Sequence, residues 1–211
     1  MRIGKVVRIA LAIVAVALVG VIVWRAAQPP DEPVYKDKPL SSWLEKAART
    51  GTHTDAAWQD FKEAVRQAGT NAIPTLLRLL CVNDSALKTI VINWAEMRHG
   101  NNKSRYTRSM YLNATAIQGF KILGATAQSA VPALIDLGDR PDVPRVTRSD
   151  ALYSLGYIGP PAKEAVPSLL RWATNADGYI RTAAIVALGN VDPEAASKAG
   201  IKTYMMPPPS E

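Results

Sequence analysis

The sequence predicts an all-α protein, a right-handed α-solenoid of about four helical hairpins preceded by one N-terminal transmembrane helix. Three observations carry that expectation. Arg148-Ser-Asp-Ala-Leu-Tyr-Ser-Leu-Gly156 recurs as Arg181-Thr-Ala-Ala-Ile-Val-Ala-Leu-Gly189, 33 residues later. A second pattern, an apolar segment opened by proline, occurs at Pro74, Pro132 and Pro167. The chain also begins with a long aliphatic run that carries no charge. Repetition at a period of this length marks a stack of small units, none of which can bury its apolar face alone.

The totals fit one ordinary core with length left for a segment outside it: 211 residues, 48% apolar and 20% charged. The net charge of +7 needs placing before it is read as a binding signal. Residues 1–25 hold Arg2, Lys5, Arg8 and Arg25 and no acid; setting those four aside from the 25 basic side chains leaves 21 against 18 acids. More than half of the basic excess therefore belongs to the N-terminus, and the remainder gives little reason to expect a polyanion ligand. Cys81 is the sole cysteine, which excludes an intramolecular disulfide.

Taken in order, Ile9 to Trp24 is a run of sixteen residues without a charge. With Val6 and Val7 added and Arg8 snorkelling, it approaches the roughly 20 residues that a helix needs to cross the hydrocarbon core. Residues 1–25 are expected to be a retained anchor in a cytoplasmic (inner) membrane, single-pass, with the C-terminal domain extracytoplasmic. Secretion after signal cleavage is the alternative, disfavoured because cuts after Ala26 or Ala27 place Trp24 or Arg25 where a small side chain is wanted. Residues 26–39 are proline-rich and charged and read as an extended spacer.

The repeat domain is expected over 40–204, followed by a flexible tail at 205–211. Leu40, Trp43, Leu44 and Ala47 form one apolar stripe that would cover the first exposed core face, with Ser42 and Glu45 at capping-box spacing. Trp43 is read as core packing. Asp55 to Ala68 is the next helix, with Gly69 at its end. Asn71-Ala-Ile-Pro-Thr-Leu-Leu77, Ser129-Ala-Val-Pro-Ala-Leu-Ile135 and Glu164-Ala-Val-Pro-Ser-Leu-Leu170 then match one another. Proline is tolerated in a first turn, where the amide has no partner to lose. Aligned on glycine, the first helices end at Gly69, Gly124, Gly156 and Gly189, where a left-handed C-cap is expected. Asp192 and Pro193 open a short last helix.

An alanine-rich helix ending in Leu-Gly, then a turn and Ala-Val-Pro-x-Leu-Leu, resembles the HEAT repeat in its short bacterial form, as in the lyase HEAT-like repeat. The resemblance covers about residues 55–199. It implies that Arg148 and Arg181 match the arginine found at the start of the family's first helix, and turn acids such as Asp142 and Asp177 are the partners expected for them. Ala116 stands at the corresponding place in the earlier copy, so a complete arginine ladder is not expected.

The interval from Gly69 to Gly124 is longer than the others, and residues 81–112 hold the excess. Asn83-Asp84-Ser85 would cap an inserted helix with the stripe Leu87, Ile90, Val91, Trp94 and Met97, and a basic loop follows. Insertions in repeat proteins are common seats of specificity. Arg98, His99, Lys103, Arg105, Tyr106 and Arg108 are therefore the expected partner-binding residues.

Catalytic constellations are missing from the sequence. His53 and His99 are the only histidines, and no nucleophile elbow, phosphate-binding loop or metalloprotease motif occurs. No cofactor, no metal and no catalytic residues are expected. The expected function is a membrane-tethered scaffold that binds an as yet unidentified protein partner. Nucleic-acid or other polyanion binding through the inserted segment is the first alternative, opposed by the sign alternation of Arg78, Asp136 and Arg171 along the second helices. A tetrapyrrole lyase is the second, implied by the resemblance alone, and a DNA glycosylase of HEAT-like build is a further rival.

Overall fold

A computed structural model of the chain describes residues 32–50, 56–82 and 108–203. The anchor expected over 1–25 and most of the inserted segment lie outside these residues. One compact unit begins at Pro33. Within it the described residues are mostly helical, with one two-stranded hairpin, and no helix among them is long and apolar enough to cross a membrane.

The hairpin falls in the stretch expected to be an extended spacer. Strands β1 (Val34–Tyr35) and β2 (Lys38–Pro39) pair antiparallel, Val34 opposite Pro39 and Tyr35 opposite Lys38. Lys36 and Asp37 between them both adopt positive φ, 47° and 59°, the twist that a two-residue hairpin turn demands. The Leu40 amide donates to the Pro33 carbonyl at 2.8 Å, so the chain passes from β2 straight into helix α1 (Leu40–Thr50). That junction displaces the expected capping box. The helix starts at Leu40, three residues before a helix capped by Ser42 would, and the Ser42 hydroxyl donates to the Pro39 carbonyl at 2.8 Å rather than accepting a first-turn amide.

Leu40, Trp43, Leu44 and Ala47 are buried. The Trp43 Nε1–H donates to the Tyr35 carbonyl at 2.9 Å and the two rings meet edge to face, centroids 5.8 Å apart. Lys38 and Lys46 lie over the Trp43 ring. This assembly closes the first face of the core.

Helices α2 (Ala56–Ala68), α4 (Arg108–Leu123), α6 (Arg145–Ile158) and α8 (Gly178–Val191) are the first helices of successive hairpins. Helices α3 (Ile73–Leu80), α5 (Val131–Asp139) and α7 (Val166–Trp172) are the second ones, and Pro74, Pro132 and Pro167 each stand at the second position of one of them. Tight 3-10 turns join the two. Neighbouring first helices pack side by side, each second helix packs on the first helix of the next hairpin, and the connecting turns stack on one another. The alanines at 183, 184 and 187 are fully buried in α8 and allow its close approach to α6. Short α9 (Pro193–Lys198) follows, capped by Asp192, whose carboxylate accepts from the Ala195 amide at 2.9 Å.

Two of the four expected helix-ending glycines are not at helix ends. Gly69 and Gly124 follow α2 and α4 with φ of 54° and 50°, but Gly156 and Gly189 lie inside α6 and α8, both buried. The glycine that terminates α6 is Gly159, with φ 75°. Gly189 has another reason to be glycine: a Cβ there would come within 2.8 Å of the Thr203 Cβ. The last two copies thus carry their Leu-Gly inside the helix, whereas Gly69, after Ala68, and Gly124, after Leu123, follow helix ends. The sequence holds the distinction. Gly124 and Gly159 each precede their helix-opening proline by eight residues, and Gly124-x-x-Ala127-x-x-Ala130-Val-Pro132 matches Gly159-x-x-Ala162-x-x-Ala165-Val-Pro167.

Candidate partner-binding surface

Three side chains near the starts of α4, α6 and α8 put the copies in register. The Arg148 Nε–H donates to the Gly138 carbonyl at 2.9 Å, at the C-terminal end of α5. The Arg181 Nη1–H donates to the Asn175 carbonyl at 2.6 Å and the Ala176 carbonyl at 3.2 Å, just beyond α7. These carbonyls replace the acids expected as partners. Asp142 instead pairs with Arg140 at 2.6 Å, and Asp177 caps α8 by accepting from the Tyr179 amide at 2.8 Å. The physical reason is that the end of a preceding helix offers carbonyls without intrahelical donors at the arginine's reach.

The same place in α4 is held by Asn113. With its amide turned so that nitrogen faces oxygen, it donates to the carbonyls of Leu79 (2.8 Å), Val82 (3.2 Å) and Ser109 (2.9 Å), the first two at the end of α3. Asn113 is buried, and it precedes Arg148 by 35 residues, the spacing that separates Gly124 from Gly159. Alignment on Leu-Gly placed Ala116 there and hid it.

Two residues before each of these ties stands an exposed apolar side chain: Tyr111, Val146 and Tyr179, which are 42%, 41% and 59% exposed. They form one apolar position repeated in three successive copies, and Met110 beside Tyr111 is exposed as well. Scattered single exposed apolar residues need no explanation, but recurrence at one repeat position is the form that a binding surface of a stacked protein takes.

Between the starts of α6 and α8 this row borders a groove of about 620 Å3, lined by Arg145, Ser149, Tyr153, Asp177, Tyr179 and Thr182 together with the Gly178 backbone. The Arg145 guanidinium lies over the Tyr179 ring, 4.6 Å from its centroid. Among the described residues Arg145 has neither a hydrogen bond nor an ion pair. Burial pushes the Tyr153 hydroxyl above its ordinary pKa, with the neighbouring Asp150 adding to the effect. Asp150, on the same helix, is pushed up to about 6 by burial.

Of the residues expected to bind a partner, Arg98, His99, Lys103, Arg105 and Tyr106 lie outside the described residues, and Arg108 is the first residue of α4. The groove and the row were not anticipated. Their signal was available as the coincidence of Tyr111, Val146 and Tyr179 once the copies are aligned on Asn113, Arg148 and Arg181. Among the described residues no three His, Cys, Asp or Glu side chains gather as a metal site. Compared with protein-family models, with curated proteins and with solved structures, the chain matches none.

Proposed function

We propose that this chain is a non-catalytic scaffold, tethered to a membrane by its N-terminal apolar run and built as a right-handed α-solenoid of about four HEAT-like hairpins, that binds a partner protein along the starts of its first helices. The observation that carries this reading is the exposed apolar position held by Tyr111, Val146 and Tyr179 in three successive copies. Tyrosine supplies large contact area at low cost in side-chain entropy and is enriched at the centres of protein interfaces. The second helices and turns support the surface by buried packing, so the row sits on rigid elements. The uncharged run Ile9–Trp24 supports the tether.

The test uses the full chain in its membrane, crosslinked in place and recovered under denaturing conditions. The proposal expects one protein recovered in near-stoichiometric amount. Recovery of no protein, together with salt-sensitive binding of DNA by the purified chain, would contradict it. A set of Arg98→Ser, Lys103→Ser, Arg105→Ser and Arg108→Ser that weakens recovery would extend the contact into the inserted segment.

A further inference from the structure

The groove beside the apolar row identifies the kind of partner segment it fits, an inference that rests on the scaffold reading. We infer that the row and groove hold an acidic amphipathic helix of the partner, laid across α4, α6 and α8 with one carboxylate on Arg145.

Spacing is the first argument. Packed helices lie about 8–10 Å apart, so Tyr111, Val146 and Tyr179 mark steps of that size. Seven residues of α-helix rise about 10.5 Å, so side chains at i, i+7 and i+14 of a crossing helix meet the three positions in turn.

Charge is the second argument. Two acids stand near the groove, and neither faces Arg145 as a partner. The Asp177 carboxylate is engaged on the Tyr179 amide at 2.8 Å, closing the start of α8. Asp150 is not among the lining residues, and among the described residues its carboxyl has no hydrogen-bonded or ion-paired partner. The other arginines of this region are already engaged: Arg148 and Arg181 on backbone carbonyls, Arg171 on Asp139 at 2.6 Å, Arg140 on Asp142. Arg145 is held over Tyr179 by a ring contact alone, with its donors open to an incoming group. The start of α6 adds to that charge, since its N-cap is Pro144 and no side chain caps the first turn. An uncompensated guanidinium between two exposed apolar side chains selects a carboxylate flanked by apolar residues, and a planar fork binds it through two parallel hydrogen bonds.

The experiment places a photo-crosslinking residue at position 146, at 179 and, separately, at 105 of the full chain in its membrane, and maps the crosslinked residues on whatever is captured. The expected result is that 146 and 179 reach one helix-forming segment of one protein, seven residues apart or a multiple of seven, with an Asp or Glu between. Capture falls at least tenfold in Arg145→Glu and returns when that acid of the partner is changed to Arg. Among the described residues Arg145 has no hydrogen-bonded partner, so melting of the variant stays within a few degrees of the parent. Crosslinks from 146 and 179 to a second copy of this chain, to lipid, or to a basic or uncharged segment overturn the inference, as does capture unaffected by Arg145→Glu. A partner captured at 105 and not at 146 or 179 overturns the groove and leaves the scaffold reading standing. Capture at none of the three removes both.

Discussion

Thr147 stands in the first turn of α6 where α4 has Leu112 and α8 has Ile180, all three buried. Its hydroxyl is fully enclosed without a hydrogen-bond partner, alone in this among the described residues. An unmade hydrogen bond inside a core costs on the order of 1–3 kcal/mol, and valine has the same shape without the hydroxyl. Thr147→Val is expected to stabilise the domain by about 1 kcal/mol, a rise of about 2–4 °C in Tm for a chain of this size, read by calorimetry. One turn along, Asp150 makes a prediction in pH. Its folded pKa of about 6 is above the ordinary carboxylate value, because burial penalises the charged form. Below pH about 4 the carboxyl is protonated in both states and costs nothing. Between pH about 4 and 6 the unfolded chain ionises while the folded chain stays protonated, so stability is lost over that window, and above 6 both states ionise and the loss levels off. Asp150→Asn should be more stable than the parent by on the order of 2 kcal/mol at pH 7.5 in urea titrations, with the gap closing below pH 4. A gap independent of pH would show that burial of the charge is not the cause.

At the scale of the element, each hairpin is tied to the one before by a side chain that reaches back to a helix end. Arg148→Ala leaves the Gly138 carbonyl without this donor and removes a cation from the C-terminal end of α5; a loss of about 1–2 kcal/mol is expected in urea titration. Beside it, α5 and α7 meet through Gly138 and Trp172. An added Cβ at 138 would lie 2.7 Å from a Trp172 ring carbon, and the ring is held by its Nε1–H donating to Asp139 at 3.0 Å. Gly138→Ala is therefore expected to cost about 1–3 kcal/mol despite its helical propensity, because the ring has to move; an unchanged Tm would refute the close packing. How far these features were legible differs by residue. The proline openings and the stripes of α1 and α3 follow from local rules, first-turn amides and a 3.6-residue period, and sequence carries both. Gly156 and Gly189 read as helix ends because Gly69 and Gly124 stand at the ends of α2 and α4; what sets Gly189 apart is the close approach of Thr203, fourteen residues away in sequence. Asn113 escaped because its function passes between two residue types, amide and guanidinium, that share only donors. The groove escaped because its walls come from α6 and α8 and exist only once these helices are side by side.

For the whole molecule, the regular part and the proposed binding part are the same stretch seen from two sides. The repeated Arg, Ala, Leu and Gly positions build the stack, and the position two residues before each tie is left apolar and open to solvent. Burial explains the first set and not the second, whose side chains stay 41–59% exposed, which is why the scaffold reading rests on Tyr111, Val146 and Tyr179. These side chains contribute little to folding, so polar replacements there separate binding from stability. The most direct measurement is recovery of the crosslinked partner by the full chain carrying Tyr111→Ser, Val146→Ser and Tyr179→Ser, beside the parent, with helicity and Tm recorded on both. A fall in recovery of at least tenfold with helicity unchanged and Tm within a few degrees is the expected result; undiminished recovery with the row removed would contradict the account.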